Sequence, residues 1–227
     1  MPLADSHDPS SLASKMRARR AVALKAVIAD IARAKGKIAI LDMGGTVDYW
    51  RSLGLDFLAD VGAQITVVNL VAGEPELEPS PLVTCAIGDA CDLSQFADGA
   101  FDLTHSNSVI EHVGAWANMK AFAREARRLA TYYYVQTPYF WFPVDPHYYR
   151  MPLYHWFPRP VRARLLNAFP IAHVGKIHGV DDAFKVVEDA RLLDRRQFDF
   201  LFPDAAISFE RFAGLAKSMI AIKGPAL

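Results

Sequence analysis

Four short segments of this 227-residue chain place groups able to bind a ligand or move a proton directly behind apolar runs. Asp42-Met43-Gly44-Gly45-Thr46 follows Lys37–Leu41. Its glycines allow a sharp turn and close backbone approach to a ligand, and its carboxylate can accept from a hydroxyl or ammonium group. Asn69 ends the run Ile65–Val68 and can both donate and accept. Gly88-Asp89-Ala90 ends Leu82–Ile87, where a carboxylate beside a small residue could accept from an exocyclic amine or simply cap a turn. The fourth segment, Phe101 to Val113, reads F-D-L-T-H-S-N-S-V-I-E-H-V. Two histidines are candidate general bases: His112 in that segment, and His147 in Pro143-Val144-Asp145-Pro146-His147, where Asp145 can orient or charge the imidazole. The plainer readings are a histidine packed at a helix start and a simple turn. No metal is expected: His155, His173 and His178 lack ligand spacing, and no H-x-x-x-H or carboxylate cluster occurs. His105 lies inside an apolar run and reads as buried structure.

Taken in order, the four segments resemble the class I S-adenosylmethionine-dependent methyltransferases, in particular the small-molecule, methyltransferase type 11-like branch. The stretch Phe101–Val113 is the most specific part of the resemblance, and Leu41-Asp42-Met43-Gly44-Gly45 comes next. The resemblance implies S-adenosylmethionine as cofactor. It sets Asp42, Gly44 and Gly45 against the methionine part, Asn69 at the ribose, Asp89 and Ala90 at the adenine, and Ser106 with Asn107 beside the sulfonium. Glu111 would then orient its loop or the cofactor's ammonium. Two departures stand out. The family's G-x-G-x-G reads Gly44-Gly45-Thr46-Val47-Asp48 here, and Asn69 replaces the acid expected after strand 2.

The elements that must position these groups can be read from hydrophobic period. Residues 14–34 predict a helix with a basic face (Lys15, Arg17, Arg19, Arg20, Lys25), preceded by a polar tail. Strands are expected at 37–41, 65–68, 82–87, 101–106, 131–136, 197–202 and 217–223, with helices near 47–59, 115–129 and 181–193. Continuously apolar strands alternating with helices imply a doubly wound, mostly parallel seven-stranded α/β sheet, the Rossmann-like fold of the family. The expected division is a tail and helix over 1–36 and a methyltransferase-like domain over 37–227. Between Tyr132 and Phe157 lie 12 of the chain's 26 aromatic residues, and six prolines fall between Pro138 and Pro160. That density cannot continue a central strand, so 138–160 reads as an aromatic insertion after strand 5. It would serve as an acceptor-binding lid, or equally as a hydrophobic cover or homodimer interface.

Composition narrows the function further. Charges balance at 25 basic and 25 acidic residues, and 52% of residues are hydrophobic. Such a chain is neither disordered nor a dedicated nucleic-acid binder. Two cysteines form no disulfide framework, no membrane span or signal peptide is evident, and a reducing cytoplasm is the expected setting. The favoured activity is O-methylation of a small metabolite or sugar, since a histidine base suits a hydroxyl. Two alternatives remain: a catalytically degenerate, methyltransferase-like scaffold, and a nicotinamide-dependent oxidoreductase. The last lacks G-x-G-x-x-G and the acid after strand 2.

Overall fold

The computed structural model describes residues 12–71, 81–171 and 175–225. The Pro/Glu-rich run beginning at Ala72, His173, and the side chains of Lys15, Arg17 and Arg19 lie outside that description. Seven strands form one sheet: β1 (Ile38–Met43), β2 (Ala63–Asn69), β3 (Val83–Ile87), β4 (Phe101–Asn107), β5 (Ala130–Pro138), β6 (Ala206–Phe212) and β7 (Leu215–Lys223). Their order is β3-β2-β1-β4-β5-β7-β6. β1 pairs in parallel with both β2 and β4, and β2 with β3. Strand order reverses at β1 and β4, the switch point beyond which doubly wound sheets bind ligands. The sheet is mixed, because β6 and β7 are joined by a two-residue reversal, Ala213-Gly214, with φ of +48° and +82°. Such positive φ values suit the hairpin turn that matches strand twist.

By internal packing the chain divides into two compact units, one of Met1–Ser106, Glu125–Tyr134 and Ile222–Leu227, the other of Asn107–Arg124 and Val135–Ala221. In the first, helix α1 (Leu12–Lys35) buries Leu24, Ile28 and Ile31 at helical spacing and stops at Gly36, whose amide donates to Ala32 O. Val22, off that stripe, is exposed. The helix expected over 47–59 is two pieces, α2 (Val47–Leu53) and α3 (Leu55–Asp60), because Gly54 adopts φ +109° between them. Arg128, near the end of helix α4 (Trp116–Leu129), holds the stretch before β4. Its guanidinium donates to Glu125 Oε2 (2.7 Å), Asp98 Oδ1 (2.6 Å) and the carbonyls of Leu93 (3.1 Å) and Phe96 (3.0 Å). Glu125, itself buried, also accepts from Leu93 N–H.

In the second unit the aromatic segment is a folded piece. Tyr148 and Tyr154 are buried together with Leu166, Ile171, Ala183 and Val187, from helices α5 (Arg159–Ala168) and α6 (Val180–Asp189) and the chain between them. Their hydroxyls donate to Val186 O and Arg162 O, so burying them strands no polar group. The strand expected at 197–202 is a helix, α7 (Arg195–Leu201), and the sixth strand is displaced to 206–212. Asp194 and Gln197 form a reciprocal capping box, and Phe198, Leu201 and Phe202 all turn inward. Those three positions follow helical period, which overrides the short alternation in Gln-Phe-Asp-Phe.

Arg128→Ala is expected to lower the stability by about 3 kcal/mol, read as a fall in the urea midpoint, because Glu125 keeps a buried charge without its main partner. Glu125→Gln combined with Arg128→Met should cost less than the single change.

Candidate functional site

The first group of side chains belongs to the first unit, at the carboxyl end of β1. Asp42 is wholly buried. Its Oδ2 accepts from the indole N–H of Trp50 at 2.7 Å and its Oδ1 from His105 Nδ1 at 2.8 Å. Trp50 reaches it from α2, and His105 stands beside it on β4, the register partner of Asp42. Tyr49 and Tyr134 stack on the two sides of the imidazole at 5.0 and 5.9 Å. The carboxylate occupies the space in which a Cβ on Gly45 would fall, 1.7 Å from Oδ2, so only glycine fits there. Gly44 turns with φ +82° and donates its N–H to Val68 O.

Asn69 ends β2 and donates from Nδ2 to Gly45 O at 3.0 Å, tying the two strand ends together. Its own carbonyl accepts from Gly88 N–H, and a Cβ on Gly88 would meet Gln95 and Leu93 at under 3 Å. Thus the turn bearing Asp89 docks on Asn69. Asp89 is exposed and accepts from Cys91 N–H at 2.8 Å, and Ala90 is half-buried. Ser106 is buried and donates to Met43 O at 2.9 Å. Asp42, Gly44, Gly45, Asn69 and Ser106 therefore crowd the ends of β1, β2 and β4, with Asp89 and Ala90 one turn away. The two departures in the glycine run serve α2: Thr46 caps it by accepting from Tyr49 N–H, and Asp48 lies in its first turn, paired with Arg51.

A second group lies wholly within the second unit. Asn107 ends β4, and Ser108 follows at φ +58°, donating both its N–H and its hydroxyl to Gln136. The 3-10 turn Ile110–His112 then buries Glu111 completely. Glu111 Oε2 accepts from Thr137 at 3.0 Å, whereas Oε1 has no partner. Burial penalises the ionised form and pushes this carboxyl up to about 7, against the lowering effect of the bonds it accepts.

His147 sits on the 3-10 turn Pro146–Tyr148, which Asp145 caps by accepting from His147 N–H. The same Asp145 oxygen accepts from His147 Nδ1 at 2.7 Å. Burial depresses the imidazole's basicity, but the bond and charge of Asp145 together with the charges of Glu111 and Asp189 outweigh it and raise its pKa. His112 donates from Nδ1 to Asp189 O at 3.1 Å. The two Nε2 atoms stand 3.0 Å apart, with the rings nearly perpendicular. Both histidines singled out in the sequence thus meet.

Sequence reasoning missed Trp50 as a partner of Asp42, and Thr137 and Asp189 as partners of the second group. Trp50 left one sign, falling three residues before Leu53 on the inward face of α2. Thr137 and Asp189 left none, since each touches its partner only through the tertiary fold. Trp50→Phe keeps an aromatic ring, though a smaller one, and leaves Asp42 Oδ2 unbonded in a dry site. A loss of about 2 kcal/mol is expected on urea unfolding.

Residues 45–131 match the family model described as a methyltransferase domain. No curated protein matches the chain. Among solved structures, magnesium protoporphyrin IX methyltransferase from Synechocystis PCC 6803 is similar at TM-score 0.52 and 14% identity, over 97% of this chain and 90% of that one. A Bordetella parapertussis protein reaches 0.54 at 13% identity, over 93% and 68%. Human N-acetylserotonin methyltransferase reaches 0.50 at 13% identity, over 92% of this chain but 56% of its own length. At these identities the structural likeness speaks for the fold alone. The methyltransferase-domain match begins at the glycine turn of β1 and runs through β4 and α4, and with the fold it supports a class I S-adenosylmethionine-dependent methyltransferase.

Proposed function

We propose that this methyltransferase O-methylates a small metabolite or sugar, with the His147–His112 pair taking the acceptor's proton. The observation that carries the reading is Asp145 fixing Nδ1 of His147 at 2.7 Å, which commits the other ring nitrogen to act as the base. A carboxylate behind an imidazole both sets the tautomer and stabilises the imidazolium formed on proton transfer.

The strand ends of the first unit suit the cofactor. Gly45 leaves backbone open where any side chain would collide with Asp42, and the Gly44-Gly45 turn is braced by Asn69 and Val68. In this reading Gly44 and Gly45 hold the methionine part, and Asp42 acts from beneath by keeping the turn in shape. Asn69 holds the ribose, Asp89 and Ala90 the adenine, and Ser106 with Asn107 the neighbourhood of the sulfonium. The cofactor supplies a methyl group already activated on sulfur. What the protein must add is alignment and a place for one proton. The hydroxyl O–H bond breaks, its proton goes to an imidazole Nε2, and the oxygen takes the methyl. Exposed rings of the aromatic segment, Trp141, Trp156 and Phe157, offer an apolar seat for a small acceptor. Balanced charge gives no attraction for polyanions, which also supports a small acceptor.

Calorimetric titration with S-adenosylhomocysteine is expected to show micromolar binding, with none for NAD. Asp89→Ala should weaken that binding about tenfold, roughly 1.4 kcal/mol. The failure of wild-type protein to bind it would leave the fold as a scaffold without cofactor. His147→Ala and His112→Ala should bind it like the wild type yet lose roughly 10²–10⁴-fold in turnover on hydroxylated acceptors.

A further inference from the structure

The contact between His112 and His147 poses a chemical problem. Each Nδ1 faces an oxygen that only accepts: the Asp145 carboxylate for His147 and the Asp189 carbonyl for His112. Each Nδ1 therefore carries the hydrogen, and a neutral imidazole so protonated has a bare lone pair on Nε2. Those two lone pairs are directed at one another across 3.0 Å. Nothing holds two lone pairs at that distance except a positive charge between them, either a proton or a cation.

Glu111 decides between the two. Its side chain is wholly buried, and Oε1 has no hydrogen-bond partner. A buried carboxylate oxygen left unmatched is costly and asks for an explanation. A carboxylate oxygen of Glu111 and the two imidazole nitrogens all lie within 4.8 Å of one another. A proton shared by the nitrogens would leave Oε1 as it is. A cation among the three groups gives both nitrogens and the buried Glu111 carboxylate a partner.

We infer that Glu111, His112 and His147 bind a divalent transition-metal ion of the zinc class, leaving one coordination position open. Nitrogen and carboxylate ligands lie about 2.0–2.2 Å from zinc, which sets tetrahedral ligand atoms roughly 3.3 Å apart. The nitrogen pair is already near that spacing, and a carboxylate oxygen of Glu111 lies within 4.8 Å of both. The outer partners are also in place. Asp145 behind His147 makes the carboxylate–histidine arrangement that orients metal ligands, Asp189 O does the same for His112, and Thr137 steadies the other oxygen of Glu111.

Three protein ligands are the mark of a site with room for a substrate oxygen. What such an ion does rests on the proposed function: the acceptor hydroxyl occupies the fourth position and its proton passes to solvent, as metal-bound water ionises near neutral pH. In the ion-loaded protein the ion takes over from the imidazoles the task of acidifying the acceptor hydroxyl, and the cobalt titration separates this arrangement from the metal-free base. Chain spacing gave no hint of this, since residues 111, 112 and 147 meet only through the fold.

Cobalt(II) tests the site, because it replaces zinc and colours a four-coordinate centre. The full chain, stripped with a chelator, is expected to take up one equivalent with intense visible d–d bands that zinc then displaces. His112→Ala with His147→Ala should abolish the bands, and Asp145→Asn should weaken cobalt binding about 10–100-fold. Circular dichroism and S-adenosylhomocysteine titration of the same samples report folding and cofactor binding separately. Absence of bands in a wild-type protein that binds S-adenosylhomocysteine overturns the metal site and leaves the methyltransferase reading standing. Bands that survive in the folded double variant overturn it too.

Discussion

Asp42 is a carboxylate taken out of water, and much of the first unit follows from what it then requires. It needs two donors in a dry place, so a tryptophan must come from α2 and a histidine from β4. It needs volume, so position 45 must be glycine. The same glycine exposes a carbonyl that Asn69 grips, and Asn69 in turn anchors the turn at Gly88. One buried charge thereby sets the local path of three strand ends. Both carboxylate oxygens have their donors, whereas Nε2 of His105 is buried without a partner.

In the second unit the organising constraint is different. Prolines and aromatics from Pro138 onward forbid regular strand or helix, and the chain answers with short turns whose rings become core. Tyr148 lies in that core one residue from His147, so the ring packing that fixes the turn also fixes the imidazole. Asp145 contributes twice, capping the turn through His147 N–H and holding the ring through Nδ1. Position and protonation state are thus set by a single carboxylate.

Much of this was legible in the residues. Apolar runs marked β1 to β5 and β7 within a few positions, because central strands such as β1, β4 and β5 are largely buried and leave a near-continuous signal, while the edge strand β3 is mostly exposed. The order of Asp42, Asn69, Asp89 and Ser106 behind those runs placed them at strand ends, where they stand. The Asp145–His147 relation was readable too, being local. Strand β6 was misplaced because α7 spans only seven residues, too few for period to separate helix from strand without weighing the Asp194–Gln197 cap. The meeting of residues 111, 112, 147 and 189 was illegible for a simpler reason: nothing local couples positions that far apart along the chain.

Strand order has a consequence for synthesis. β7 is the last strand along the chain, yet it lies inside the sheet, between β5 and β6. β6 therefore leaves the ribosome with no strand to join, and its link to the sheet waits for the residues that follow it. The parallel half, β1 to β4, is under no such delay. A nascent chain stalled before Leu215 would hold every residue of the glycine turn and the Asp42 network, but not the strand that joins β6 to the sheet.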